Sequence, residues 1–144
     1  MTSAPGARAL AIRILAEVER GGWSDRLLQA REIRLEDPRE RRFLHSLVLG
    51  TLRWQGALDA RIAPAARGGL ERLTPEVLAA LRMGMTDALV LGRPVPVAVH
   101  AAVDAVRAAG APRAAGLVNA VLRRALAGSA ALDEALTMPS WIRG

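Results

Sequence analysis

A chain of 144 residues fits one domain and is long enough to bury most of the surface that its unfolded form exposes. With no cysteine and two widely separated histidines, it excludes disulfides and thiolate metal sites and leaves a metal centre without an evident ligand set. All 20 basic residues are arginine, against 14 acidic ones, for a net charge of +6; no apolar run approaches a membrane span and no secretion signal opens the chain, which reads as cytoplasmic.

The first periodic segment starts at Ala7. Leu10, Ile14, Leu15 and Val18 share one face, and Gly21-Gly22 ends the helix. Gly22-Trp23-Ser24-Asp25 then reads as a turn, with Ser24 an N-cap for a short helix carrying Leu27 and Leu28. An indole beside a glycine turn is expected to lie over the core as a lid rather than to stack on a base. Asp37-Pro38-Arg39-Glu40 is the clearest helix start: Asp37 caps, Pro38 needs no N–H in the first turn, and Glu40 sits three residues on. From there Leu44, Leu47, Val48, Leu52, Leu58 and Ile62 form a stripe that runs to Pro64, the longest helix of the chain. Gly50 inside it marks a close backbone approach, since a helical glycine costs about 1 kcal/mol relative to alanine. Arg42, Ser46, Leu49 and Arg53 recur at helical spacing, which places the two arginines on one side about 16 Å apart. The bland alternative for Arg53 is an ion pair with Asp59, and His45 reads as structural.

Residues 63–73 form a loop that separates two halves of similar helical content. Thr74 caps the next helix, with Pro75 at its first position, and Val77, Leu78, Leu81, Met85, Ala88 and Leu89 are its expected buried face; Gly84 again signals close helix contact. Pro94 and Pro96 are expected to hold an extended lead-in. Val99, Ala102, Val103 and Val106 then make a stripe that Gly110 stops, Pro112 restarts the chain, and Leu117, Val118, Val121, Leu122 and Ala125 form the last stripe. Asn119 is expected to bond the backbone of a neighbouring loop. The fold class is therefore all-α: six or seven helices in two small subdomains.

The wording of three segments goes beyond the pattern. The run from Arg93 to Arg124, with its proline lead-in, AV-rich helix, glycine stop and LVNAVLRR, resembles the closing helices of the NusB family. FLHSLVLGTLRW and Pro139-Ser140-Trp141 point to one branch, the NusB-like amino-terminal domain of small-subunit ribosomal RNA cytosine-C5 methyltransferases. That resemblance implies a NusB-like RNA-binding domain over residues 1–138 and, over 139–144, the start of a linker to a catalytic domain not contained in this chain. A cysteine nucleophile and S-adenosylmethionine would belong to that absent domain, so no cofactor is expected in this chain.

Arginine offers a planar fork suited to phosphate, so a basic all-α domain points toward nucleic acid, although a lysine-free chain rich in Ala, Gly, Arg and Leu also fits a codon bias. No catalytic arrangement of Ser, His and Asp and no phosphate-binding glycine loop is present, so the chain alone is not read as an enzyme. The expected RNA contacts are Arg8 and Arg13 from the first helix, Arg42 and Arg53 from the third, and Arg113 from the break before the last. Ribosomal RNA is the expected partner, with neither membrane nor metal. The alternatives are a free-standing NusB-type antitermination factor and a helical module that docks a catalytic domain without touching RNA.

Overall fold

A computed structural model describes residues 6–32 and 34–127. The linker expected over residues 139–144 lies outside them. Six α-helices follow in order: α1 (Ala7–Glu19), α2 (Ser24–Glu32), α3 (Pro38–Ile62), α4 (Pro75–Leu89), α5 (Val95–Ala108) and α6 (Ala115–Ala125). Short 3-10 turns at Ala63–Ala65, Leu70–Arg72 and Pro112–Ala114 connect them, and no strand occurs among the described residues.

The helix ends follow the local chemistry of the sequence. Asp37 accepts from the Arg39 amide at 2.8 Å and Thr74 from the Val77 amide at 3.3 Å, and each is followed by the proline that suits a first turn. The glycine stops close α1 and α5 in the same way. Gly110 has φ +99°, which lets its own N–H donate to the Arg107 carbonyl and that of Ala111 to Val106 at 3.0 Å; Gly21, at φ +102°, repeats the geometry on α1. At α5 the structure differs from the sequence expectation: the helix begins at Val95, so Pro96 lies in its first turn and only Pro94 precedes it. A first-turn proline leaves no intrahelical bond unmade, so the helix tolerates it.

Helix α4 is the axis of the fold. Every residue from Val77 to Ala88 is buried, so the helix is covered on all sides rather than along one stripe. It packs against α1 and α3 from the first half of the chain and against α5 and α6 from the second, and the two halves on either side of the 63–74 loop share one continuous core. Gly50 of α3 and Gly84 of α4 sit at the crossings. A Cβ on Gly84 would lie 2.9 Å from Leu122 Cδ1 and 3.2 Å from Ala102 Cβ, and one on Gly50 would lie 3.3 Å from Thr86 Cγ2. Beside Gly50 the hydroxyls of Thr51 and Thr86 bond at 2.9 Å, which satisfies two buried polar groups where α3 meets α4.

Two expectations for α6 are corrected. Ala115, Val118, Val121 and Leu122 face the core, but Leu117 is 45 % exposed. At about 100° per residue, Leu117 lies more than a quarter turn from the centre of that buried arc, on the side of Arg124. Asn119 Oδ1 accepts from Arg123 Nε at 3.0 Å, one turn along the same helix, in place of the expected bond to a loop backbone.

Candidate nucleic-acid interface

The arginines divide into two groups according to whether a carboxylate or carbonyl reaches them. The most deeply held is Arg82 on α4, 7 % exposed. Its Nε and Nη2 each donate to Asp59 of α3 at 2.8 Å, and Nη1 donates to Glu19 of α1 at 2.9 Å. Burial by itself would lower its pKa, but the hydrogen bonds and charges of Asp59 and Glu19 outweigh that, and the net direction is upward. Arg82 is therefore a permanent cation that ties three helices together.

A second buried cluster centres on Asp87, whose side chain is 1 % exposed. Arg8 Nε donates to one of its oxygens at 2.9 Å and Arg93 Nε to the other at 3.1 Å. Both guanidinium groups also lie over the Phe43 ring, at 4.7 and 5.6 Å from its centre, a cation–π arrangement. Arg8 also lines a groove of about 340 Å³ between α1 and α5, where Glu40 and Asp104 oppose a phosphate. Arg13 is occupied differently: Nη2 and Nε donate to the Ala108 and Ala109 carbonyls at 3.2 and 3.4 Å, covering the C-terminal end of α5 where a cation is favoured. Of the five arginines expected at an RNA site, these two are already engaged within the fold.

The other three are bare. Arg42, Arg53 and Arg113 are exposed, and none has an ion pair or hydrogen bond through its side chain among the described residues. Asp59, the partner considered for Arg53, is turned instead to Arg82. Arg42 and Arg53 lie on the outer ridge of α3, where Arg42, Ser46, Leu49, Arg53, Gly56 and Ala60 are all exposed. This ridge runs about 27 Å along the helix and carries no carboxylate. At its foot Pro38, Arg41, Arg42, His45 and Ser46 line a recess of about 520 Å³. Arg113 is carried by the turn at Pro112–Ala114, four residues beyond the α5 carbonyl that Arg13 covers.

The sequence reading missed two groups. Arg93 joins Arg8 on Asp87, a pairing between a helix and the loop after it for which no periodicity exists. Trp23 is 80 % exposed, not a lid over the core. The turn Gly22-Trp23-Ser24-Asp25-Arg26 has no other apolar residue in its sequence, and that local polarity was the available signal. Among the described residues no three His, Asp or Glu side chains gather as metal ligands, and no helix is long and apolar enough to cross a membrane.

The described residues thus form an all-α bundle of helices around one buried helix, with a cationic outer ridge free of carboxylates. The chain belongs to the NusB family, which it matches over residues 5–127. It is 40 % identical over 150 residues to the ribosomal RNA small subunit methyltransferase B of Xanthomonas campestris pv. campestris, covering 99 % of this chain and 33 % of that protein. To the protein of the same name from Thermus thermophilus it is 39 % identical, covering 94 % and 33 %. The chain thus spans about a third of the length of the curated relatives it matches. Its fold is shared with a chain in the crystal structure of antitermination factors NusB and NusE in complex with dsRNA, at TM-score 0.75 and 23 % identity over 85 % of this chain and 95 % of that one. NusB from Aquifex aeolicus superposes with TM-score 0.71 at 24 % identity, over 85 % and 88 % of the two chains.

Proposed function

We propose that this chain is an RNA-binding NusB-like domain that positions small-subunit ribosomal RNA for a cytosine-C5 methyltransferase domain of the same protein. On this reading the S-adenosylmethionine and the cysteine nucleophile belong to that catalytic domain, and the helical bundle supplies affinity and orientation through phosphate and RNA shape. The relatives named for ribosomal RNA methylation support the substrate class. The observation that carries RNA contact is the α3 ridge, with two unpaired arginines and no carboxylate along its length. A guanidinium with no internal partner gives up only water when it meets a phosphate, and it releases a counterion from the RNA as it does so.

Binding of single-stranded and hairpin fragments of small-subunit ribosomal RNA, measured at several salt concentrations, tests this reading. The parent should bind with an affinity that falls steeply with salt. Replacing Arg42, Arg53 and Arg113 together by alanine should reduce the slope by about 0.7 to 1 per residue while leaving the helical circular dichroism unchanged. An unchanged slope would remove the three arginines from the site. No binding by the parent at low salt would favour a helical module that docks a catalytic domain without touching RNA.

A further inference from the structure

We propose that Trp23 is a stacking platform for one unpaired base of the bound RNA, with Arg26 on the adjacent phosphate; this rests on the RNA-binding reading above. The indole is 80 % exposed, whereas tryptophan is on average among the well-covered side chains of a folded domain. Its backbone is nevertheless fixed. Gly21 turns the chain at φ +102°, the Gly22 amide donates to the Glu17 carbonyl at 2.9 Å, and the Trp23 carbonyl accepts from the Leu27 amide at 3.0 Å as α2 begins. Arg31 of α2 bonds Glu17 of α1 across the same turn, at 2.5 Å. A large apolar ring is thus presented to solvent from a rigid corner, so that little backbone order has to be gained when something stacks on it.

The groups around the ring fit a nucleotide. Trp23, Asp25 and Arg26 line a common recess of about 370 Å³. Arg26 is exposed and has no partner among the described residues, so it is available to a phosphate. Asp25 is the negative charge that lines the recess among the described residues. It repels a phosphate and accepts N–H groups, so the base edge lies toward Asp25 and the backbone toward Arg26. An apolar ring face, an N–H acceptor and a cation are the three features that an unpaired nucleotide engages with its base plane, its base edge and its phosphate. Duplex RNA keeps its bases stacked on one another and offers the ring nothing, so the site selects single-stranded segments.

The test uses the fluorescence of Trp23. In a Trp54→Phe, Trp141→Phe variant, Trp23 is the sole fluorophore, and single-stranded ribosomal RNA fragments should quench it with the midpoint found by an independent binding measurement; duplex fragments should not. In the otherwise unaltered protein, Trp23→Ala should weaken single-strand binding about 5- to 150-fold with the salt slope and helicity unchanged, and Trp23→Phe should restore most of the loss. Arg26→Ala should instead lower the slope by about 1. Saturable binding without quenching, or a Trp23→Ala affinity within twofold of the parent, would overturn the stacking role and leave the RNA-binding reading standing. Absence of any binding by the parent would remove both.

Discussion

Asp59→Ala is the most informative perturbation of the scaffold, because it strands a guanidinium that cannot reach bulk water. Arg82 is 7 % exposed and makes three charge-assisted hydrogen bonds, two of them to Asp59. Removing one partner of a buried ion pair costs about 3 to 5 kcal/mol, far more than the pair's net worth against an apolar replacement. The low end applies here, since Asp59 is itself 23 % exposed and Glu19 still holds Nη1. A loss of about 3 kcal/mol corresponds to a fall of about 10 °C in Tm for a domain of this size. Urea denaturation should show a lower midpoint with an unchanged m-value, so that the change is one of stability and not of denatured-state compactness. Combining Asp59→Ala with Arg82→Met should recover part of the loss, because a methionine fills the buried volume without a stranded charge. If Asp59→Ala unfolds within about 0.5 kcal/mol of the parent, the guanidinium finds water unaided and the reasoning fails. The upward direction of the Arg82 pKa sets the pH dependence. A cation whose folded pKa is raised contributes stability below its unfolded pKa and loses it only as pH rises through the folded value, so Arg82 adds no slope through neutral pH.

Gly50 and Gly84 should respond differently to alanine. Gly84→Ala brings a Cβ to 2.9 Å from Leu122 and 3.2 Å from Ala102, both fully buried, so about 1 to 3 kcal/mol of overpacking should exceed the helix-propensity gain of about 1; Gly50→Ala meets only Thr86 Cγ2 at 3.3 Å and should unfold within about 0.5 kcal/mol of the parent. Val121→Ala should cost about 2 kcal/mol and Leu117→Ala less than about 1, and thermal melts that reverse this order would refute the orientation of α6. Arg8→Ala should lower Tm, because it leaves the buried Asp87 to Arg93 alone, whereas Arg53→Ala should alter RNA binding and leave Tm unchanged.

The helices were legible because their signals are local. Asp37-Pro38, Thr74-Pro75 and the glycines at 21 and 110 act within a few residues of the bonds they make, and the apolar stripe of α3 needs only one face to be buried, whereas α1 also buries Ala9, Ile12 and Ala16 off its expected stripe. Gly50 and Gly84 do lie where α4 meets its neighbours, but what comes close to them is side chain, Thr86 Cγ2 at Gly50 and Leu122 and Ala102 at Gly84, and not the backbone expected at Gly50. The errors fall where a helix has more than one packed side or where a residue lies at the margin of an arc. On α4 the expected face was right but incomplete, because Ala79, Ala80, Met83 and Thr86 also meet neighbours that a single-stripe reading does not allow for. Leu117 is as apolar as Leu122, and only the position of the core decides which of them is covered. The candidate site was less legible than the fold for the same reason. Arg8 and Arg53 look alike in sequence, each on a helix, and the nearby Asp59 pointed to Arg53, not Arg8, as the paired one. Asp87 lies 79 residues from Arg8 and is fully buried, and it is that long-range pairing which separates the two.

That separation changes what the net charge of +6 means. Spread evenly, such a charge would attract RNA weakly to the whole surface and specify no orientation. In the folded chain the carboxylates are not distributed evenly. Glu17, Glu19, Asp59, Glu76 and Asp87 each face an arginine at a junction involving α1, α3 or α4. Each such pair fixes a helix contact and cancels a positive charge in that part of the molecule. The outer ridge of α3 receives no carboxylate, so the charges of Arg42 and Arg53 stand uncompensated along it, as do those of Arg26, Arg39, Arg67, Arg72 and Arg113 elsewhere among the described residues. The same helix turns Asp59 inward to lock α4 and Arg53 outward to solvent, six residues apart, so the pairing that stabilises the bundle also determines where its free cations stand. A substitution that released Asp59 from Arg82 would therefore do more than loosen the scaffold. It would place a free carboxylate near the ridge and weaken the phosphate attraction of Arg53 without altering Arg53 itself.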